Sequence, residues 1–339
     1  MNPTIKDVAK KAGVSVATVS LVINKNNRIS DETHRKVNRA IKELNYHPSR
    51  YARGLVTKHT ANVGFILTSD HFVRTEPFYT QIFLGAEFEA HNQDFYVLLT
   101  TVDGNYKSGS KMPRFVLERN ADAIIIAGKV PQELIDDLNK ISIPLVFIDY
   151  YPSRGDYPTV LIDNIKGAQL ATEHLIKNGH RNIGFIGGDI KHPSINDRYQ
   201  GYRSALENAG INYNKNAVST SWKEPNRSGG YQAAKSISKK IKNLTAIFAC
   251  NDAMAIGAIQ FFKDKGLDIP DDVSIIGFDD VEADLLIDPP LTTVRVPKIE
   301  MGLEAMRLTV NAINEGKKSI KKILIPVKLI ERASVRKIA

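Results

Sequence analysis

From residue 61 onward, eight apolar runs of strand length recur with helix-length segments between them: "NVGFIL", "FYVLLTT", "AIIIAG", "PLVFID", "TVLID", "NIGFIGG", "AIFACN" and "VSIIGFD". That alternation leaves few folds open. Strands joined through helices must run parallel, with helices covering both faces of the sheet. Ligands in such α/β folds sit beyond the carboxyl ends of the strands. The residues at those ends are therefore the ones to inspect: Asp149, Asp163, Asn251, Asp252 and Asp279, with Arg198 opening a helix after "GGDIKHPSIND". Any one of them alone reads equally well as a helix cap. Together they read as a hydrogen-bonding cleft.

The chain has 339 residues, enough for two or three domains, and its 42% hydrophobic and 24% charged composition is that of a folded protein. No run approaches the roughly 18 apolar residues of a membrane helix, so no membrane association is expected. Lys6, Asp7, Lys10 and Lys11 stand where a secretory signal would place its apolar segment, and Cys250 is the one cysteine. A reducing cytoplasm is the expected compartment. The glycines of "NIGFIGGD" lack the spacing of a dinucleotide loop, and Cys250 closes an apolar strand as a core residue. No Ser/His/Asp order, metal-ligand cluster or phosphate loop stands out, so no catalytic residue, metal or cofactor is assigned.

The net charge of +9 is unevenly placed. Residues 1–60 hold 12 Lys and Arg against 4 Asp and Glu, and the rest of the chain is close to neutral. A compact basic segment is the footprint of a nucleic-acid or anionic-membrane surface. Within "TIKDVAKKAGVSVATVSLVINKN", Thr4 caps a helix carrying Ile5, Val8, Ala9 and Ala12 at helical spacing, and Gly13 ends it. Ser15 caps a second helix with a Val19, Val22, Ile23 stripe, which turns Val16, Ala17, Ser20, Leu21 and Asn24 outward. Ser30 and Asp31 start a third, through Val37, Ala40, Ile41 and Leu44. This is a helix-turn-helix pattern, whose second helix enters the DNA major groove. Outward apolar groups there suit thymine methyls, while Ser20 and Asn24 suit base edges or phosphates. Residues 46–60, "YHPSRYARGLVTKHT", read as a basic linker with a marginal helix from Ser49 to Val56.

The stretch from Thr4 to Leu55, with "DVA..AGVS..TVS.V.N", "I...Y.P" and "AR.L" at matching offsets, closely resembles the N-terminus of the lactose-repressor/galactose-repressor (LacI/GalR) family of bacterial transcription regulators. The resemblance implies that Val16, Ala17 and Leu21 read bases and that Ser15, Thr18 and Asn24 approach phosphates. Thr4, Ser20, Ser49 and Arg53 join the DNA-contact set. Leu55 matches the leucine that wedges into the minor groove from a hinge helix. Leu21 is a departure, because many members carry Arg or another polar residue there, so the operator cannot be copied from a relative. Farther on, "PFY", "NDRYQGY", "CNDAMAIGA", "DIPDDVSIIGFDD" and "DPPLTTV" extend the resemblance over nearly the whole chain. They imply a core like a periplasmic sugar-binding protein, with two Rossmann-like lobes joined by three crossovers. Phe78, Tyr79, Asp149, Asp163, Arg198, Trp222, Asn251 and Asp279 match the family's effector contacts. Some members also bind a phosphorylated carrier protein as corepressor, and Arg307 in "EAMRLTV" loosely matches that contact.

The expected organisation is a small all-α helix-turn-helix domain at 1–46, a hinge at 47–60 and an α/β effector-binding and dimerisation core at 61–339. Within the core, one lobe is placed at about 61–162 and 293–325, the other at about 163–292 and 326–339. The expected function is a repressor that binds palindromic double-stranded operator DNA as a homodimer or dimer of dimers, under control of a small effector read as a sugar. Two rivals remain for the core: a transporter's solute-binding protein, which would need a secretory signal, and an enzyme using the cleft, which would need an acid, base or nucleophile.

Overall fold

A computed structural model describes residues 3–23, 29–46, 59–72, 78–222, 225–315 and 320–338. The chain divides into two compact units, Met1–Ala61 and Asn62–Ala339, each with its own core. The hinge segment at 47–58 lies outside the described residues, as do the candidate contacts Asn24, Ser49, Arg53 and Leu55.

The first unit holds α1 (Ile5–Ala12), α2 (Val16–Ile23) and α3 (Asp31–Glu43). A capping box starts α1, with the Thr4 amide donating to the Asp7 carboxylate at 2.8 Å and the Asp7 amide to Thr4 Oγ1 at 3.4 Å. Gly13, at φ 67°, ends it in the left-handed conformation. Ser15 Oγ accepts the Thr18 amide at 3.1 Å, and Ser30 caps α3 through the Thr33 amide. Val8, Ala9, Val19, Val22, Val37, Ala40 and Tyr46 make the core. On α2, Val16 and Leu21 are instead left 41% and 38% exposed, with Ala17 beside them.

In the second unit a six-stranded parallel sheet runs in the order β11-β5-β4-β3-β1-β2. Its strands are β1 (Asn62–Thr68), β2 (Tyr96–Val102), β3 (Ala123–Ala127), β4 (Leu145–Ile148), β5 (Thr159–Ile162) and β11 (Lys322–Ile325). A four-stranded parallel sheet, β7-β6-β8-β9, is made from β6 (Ile183–Gly188), β7 (Val218–Trp222), β8 (Ala246–Ala249) and β9 (Ser274–Ile276). β10 (Thr293–Arg295) and β12 (Lys328–Ile330) pair antiparallel. In β3, Ile125 and Ala127 face one hydrophobic core, while Ile124 and Ile126 face a second across the sheet, shared with Leu134, Ile135 and Leu138 of α5 (Gln132–Lys140). Burial on both faces explains why the interior strands read as unbroken apolar runs rather than as alternation.

The chain enters the second lobe after β5, returns to the first at α10 (Lys298–Glu315), and leaves it again after β11 for β12. β10 pairs with β12 and packs on α6 (Asn164–Lys177) of the second lobe. α10 is thus the first element of that return.

Three helix pairs cross at glycines: α4 (Phe78–Asn92) with α10, α6 with α7 (Pro193–Asn208), and α8 (Arg227–Lys240) with α9 (Asp252–Lys263). A Cβ at Gly302 would lie 2.0 Å from the Ile82 carbonyl oxygen, one at Gly201 2.3 Å from that of Ile165, and one at Gly257 1.9 Å from that of Arg227. Backbone meets backbone at each crossing. Gly302→Ala should therefore lower stability by about 1–3 kcal/mol in thermal unfolding. Gly210→Asn, at φ 64° with nothing within 4 Å of its Cβ position, should cost much less, because Asn tolerates that backbone.

Candidate functional site

Arg198 lies in the second turn of α7, which begins at Pro193. It does not open the helix, as the sequence suggested, because a proline in the first turn presets φ and starts the helix earlier. Its guanidinium is buried beyond the strand ends. Nε donates to Asn164 Oδ1 at 2.8 Å, and Nη1 donates to the Cys250 carbonyl at 2.6 Å and to Asp279 Oδ1 at 3.4 Å. The guanidinium carbon stands 3.7 Å above the centre of the Phe278 ring. Nη2 has no hydrogen-bond partner among the described residues.

Asp279 follows β9 with φ 124°. Burial pushes its carboxyl pKa up to about 7; Arg198 and Lys298 pull it down, while Asp252 and Asp149 add to the rise. Behind it, Asp252 and Asp284 are fully buried and both carboxyls are raised, chiefly by burial. Both accept the Val281 amide, and Asp252 also accepts Thr293 Oγ1 at 2.5 Å.

From the first lobe, Asp149 at the end of β4 sits at φ 57° and accepts the Tyr79 hydroxyl at 2.9 Å. Ser194, on α7 of the second lobe, donates to the Asp149 carboxylate and carbonyl at 3.3 Å each. Phe78 packs edge-on to Tyr79, with Lys298 Nζ 5.8 Å from its ring centre. The structure thus gathers Phe78, Tyr79, Asp149, Arg198 and Asp279 from the candidate set.

The other three have local hydrogen bonds. Asp163 caps α6 through the Lys166 amide at 2.9 Å. Asn251 caps α9 through the Met254 amide and donates to the Pro225 carbonyl at 2.8 Å. Trp222 Nε1 donates to Ser219 Oγ at 3.1 Å. Sequence reasoning passed over Asn164, Ser194, Phe278 and Lys298. Lys298 carried a signal, since it opens a helix directly after Pro297. Arg307 pairs with Glu89 at 3.2 Å and Glu304 at 2.7 Å, so two carboxylates already meet its charge. Among the described residues no group of acidic, His or Cys side chains is arranged to hold a metal ion, and no helix is long and apolar enough to cross a membrane.

The cluster brings the Arg198 guanidinium and the Asp149 and Asp279 carboxyls together with the Tyr79 and Ser194 hydroxyls, which donate to Asp149, from both lobes. Its chemistry is that of a polar, hydrogen-bonding cleft.

Residues 4–49 match the family model of bacterial regulatory proteins, lacI family, and residues 172–335 match that of the periplasmic binding protein-like domain. The chain is 36% identical over 335 residues to the HTH-type transcriptional repressor PurR of Pasteurella multocida, covering 98% of each chain. Among solved structures it resembles a transcriptional regulator CelR–cellobiose complex, with TM-score 0.75, 30% identity, and 98% and 99% of the two chains covered. It also resembles the lac repressor dimer bound to operator and the anti-inducer ONPF, with TM-score 0.79, 25% identity, and 99% and 100% covered.

The raised Asp279 pKa has a thermodynamic consequence. A carboxyl whose folded pKa lies above its unfolded value makes stability fall as pH rises from the ordinary aspartate pKa to about 7, with no further loss above that. Asp279→Asn removes this fall. Denaturant unfolding without added ligand should show the variant gaining about 1–3 kcal/mol over the wild type at pH 8 and close to nothing at pH 4.

Proposed function

The chain belongs to the lacI family of bacterial regulatory proteins, DNA-binding transcriptional repressors with an effector-binding domain, and from that premise we propose a cytoplasmic homodimer that occupies a palindromic operator under the control of a sugar. The observation that carries the sugar reading is the Arg198–Asp279 pair, whose carboxyl feels the charge of Asp149, itself bonded by Tyr79 and Ser194. Each hydroxyl of a sugar both donates and accepts, and this mixture of fixed donors and acceptors suits vicinal hydroxyls. Asp163, Asn251 and Trp222 complete the proposed contact set. The rings of Phe78 and Tyr79 also suit a purine, which is the second ligand class to test.

On DNA, Val16, Ala17 and Leu21 are proposed to meet base edges, with thymine methyls the fitting partners of the two larger side chains. Thr4, Ser15, Thr18, Ser20 and Asn24 would supply phosphate and edge contacts, and Ser49, Arg53 and Leu55 the hinge contacts. The domain division at 1–46, 47–60 and 61–339 is part of this reading.

Two-fold operators need a two-fold protein. The edge strand β2 leaves Tyr96 and Leu99 exposed, and neighbouring α4 leaves Leu84 and Phe88 exposed. Four apolar side chains on one sheet edge and its covering helix favour self-association. Phe88→Glu should therefore shift the chain towards monomer in sedimentation velocity and weaken binding to a palindromic duplex at least tenfold. The same run on the wild type separates dimer from dimer of dimers.

The sensor reading is tested with duplexes selected from random DNA and a panel of cellobiose, ribose, other sugars and purine bases. In the wild type one class should change duplex affinity. In Arg198→Ala duplex binding should persist while that response falls at least tenfold, the loss of a charged hydrogen-bond donor costing about 1.5–3 kcal/mol. A full response in Arg198→Ala would sink the assignment of the site.

A further inference from the structure

Asp279 and Asp280 are consecutive non-glycine residues with φ of 124° and 56°. Such backbone persists only where its surroundings hold it. Three cations do so, each from a segment that connects the lobes. Arg295, ending β10, donates Nε to Asp280 Oδ2 at 2.6 Å. Arg332, just beyond β12, donates Nη2 to Asp280 Oδ1 at 2.5 Å and Nη1 to the Leu291 carbonyl at 2.7 Å. Lys298, the first residue of α10, donates Nζ to the carbonyl oxygens of both Asp279 and Asp280, the latter at 3.1 Å.

Lys298 differs from the two arginines in two respects. It is buried, at 4% exposure, where an ammonium is retained only if its charge and donors are matched. Its helix also packs on α4 and on strands β3 to β5 of the first lobe, while the carbonyls it grips belong to the second.

We propose that Lys298 is a positioning residue for the effector: it fixes the Asp279 carboxylate in the cleft and ties it to the first lobe, so that a ligand held by Asp279 engages both lobes through one side chain. This inference rests on the functional reading above and names a residue that the resemblance left without a role. The two carbonyls set the turn on which Asp279 stands, and the ammonium charge beside it favours the carboxylate over the acid.

The charged groups facing Asp279 are Arg198 from α7, Lys298 from α10, Asp252 from α9 and Asp149 from the end of β4. Of these, Arg198 and Lys298 favour its ionised form, and removing Lys298 leaves Arg198 alone. A residue that only filled space would leave the ionisation of Asp279 where it is.

The test uses the full chain without any ligand. Melting temperature is followed from pH 4 to 10 for the wild type and for Asp279→Asn, and their difference isolates the Asp279 step near pH 7. The same pair is then compared in a Lys298→Met background and in a Thr309→Val background. Thr309 lies on the same helix and is buried, with its hydroxyl bonded to the Ala305 carbonyl, so that variant perturbs α10 without touching Asp279. The step should move upward by about one pH unit with Lys298→Met and stay in place with Thr309→Val. Lys298→Gln, which keeps a donor for the two carbonyls but no charge, should give the same upward shift and serves if the Met variant does not fold. A step that stays near pH 7 in the Lys298 variant overturns the proposal. Failure of the functional reading would show instead in the ligand response of Arg198→Ala, which this measurement does not use.

Discussion

A guanidinium taken out of water has to be matched, and the second lobe is arranged around that requirement. The effective cost of desolvating such an ion is several kcal/mol even after relaxation, so Arg198 is stable at 6% exposure only because its acceptors converge on it. They come from Asn164, Cys250 and Asp279, which lie 34, 52 and 81 residues from it in sequence. The parallel sheet makes that convergence possible. With every strand pointing the same way, the ends of β8 and β9 emerge on one edge, and α7 carries Arg198 across both. One side chain thereby fixes three loops that the sheet alone would leave independent.

The sheet interiors could be read from sequence because they are buried on both faces, so hydrophobicity alone marks them. All eight apolar runs became strands. The strands that escaped notice have different chemistry. β7, "VSTSW", is a mostly polar edge strand, and β10, β11 and β12 are three or four residues long with exposed positions. Their existence depends on a partner far away in the chain, which no local pattern records. The site divides in the same way. Asp149 and Asp279 were visible as charged residues at strand ends and Arg198 as a charge near a helix start, whereas Asn164, Ser194 and Lys298 acquire their roles only from what approaches them. The Lys298 ammonium is satisfied by carbonyls of the opposite lobe, and a carbonyl has no sequence signature.

The first unit lies at the other extreme. Its turn, caps and core are set by contacts at i+3 and i+4, so Thr4, Gly13, Ser15 and Ser30 were recognisable in the string itself, and the structure adds their partners Asp7, Thr18 and Thr33. The same locality sharpens the meaning of Val16 and Leu21. A three-helix core this small fills with Val8, Val19, Val22 and Val37 and has no place for two further apolar side chains on α2. They remain outside at the cost of exposed apolar surface, which suits a helix face completed by the base edges of a groove.

How a ligand in the second unit alters behaviour elsewhere is constrained by arithmetic. Inverting a two-state equilibrium from 1:99 to 99:1 takes about 5.5 kcal/mol of differential affinity. Charge-assisted hydrogen bonds contribute roughly 1.5–3 kcal/mol each, so two to four of them made in only one lobe arrangement are enough. The polar ties already crossing between the lobes are of that number and kind. Ser194 of the second lobe bonds Asp149 of the first, and Lys298 of the first bonds the Asp279–Asp280 turn of the second. A ligand that bonded only Arg198 and Asp279 would reach the first lobe through the Lys298 tie alone and discriminate less between arrangements. One that also reaches Asp149 and Tyr79 depends on the lobe spacing for every bond it makes. The capacity to switch therefore resides in the acceptors being split across the cleft more than in the strength of any one of them.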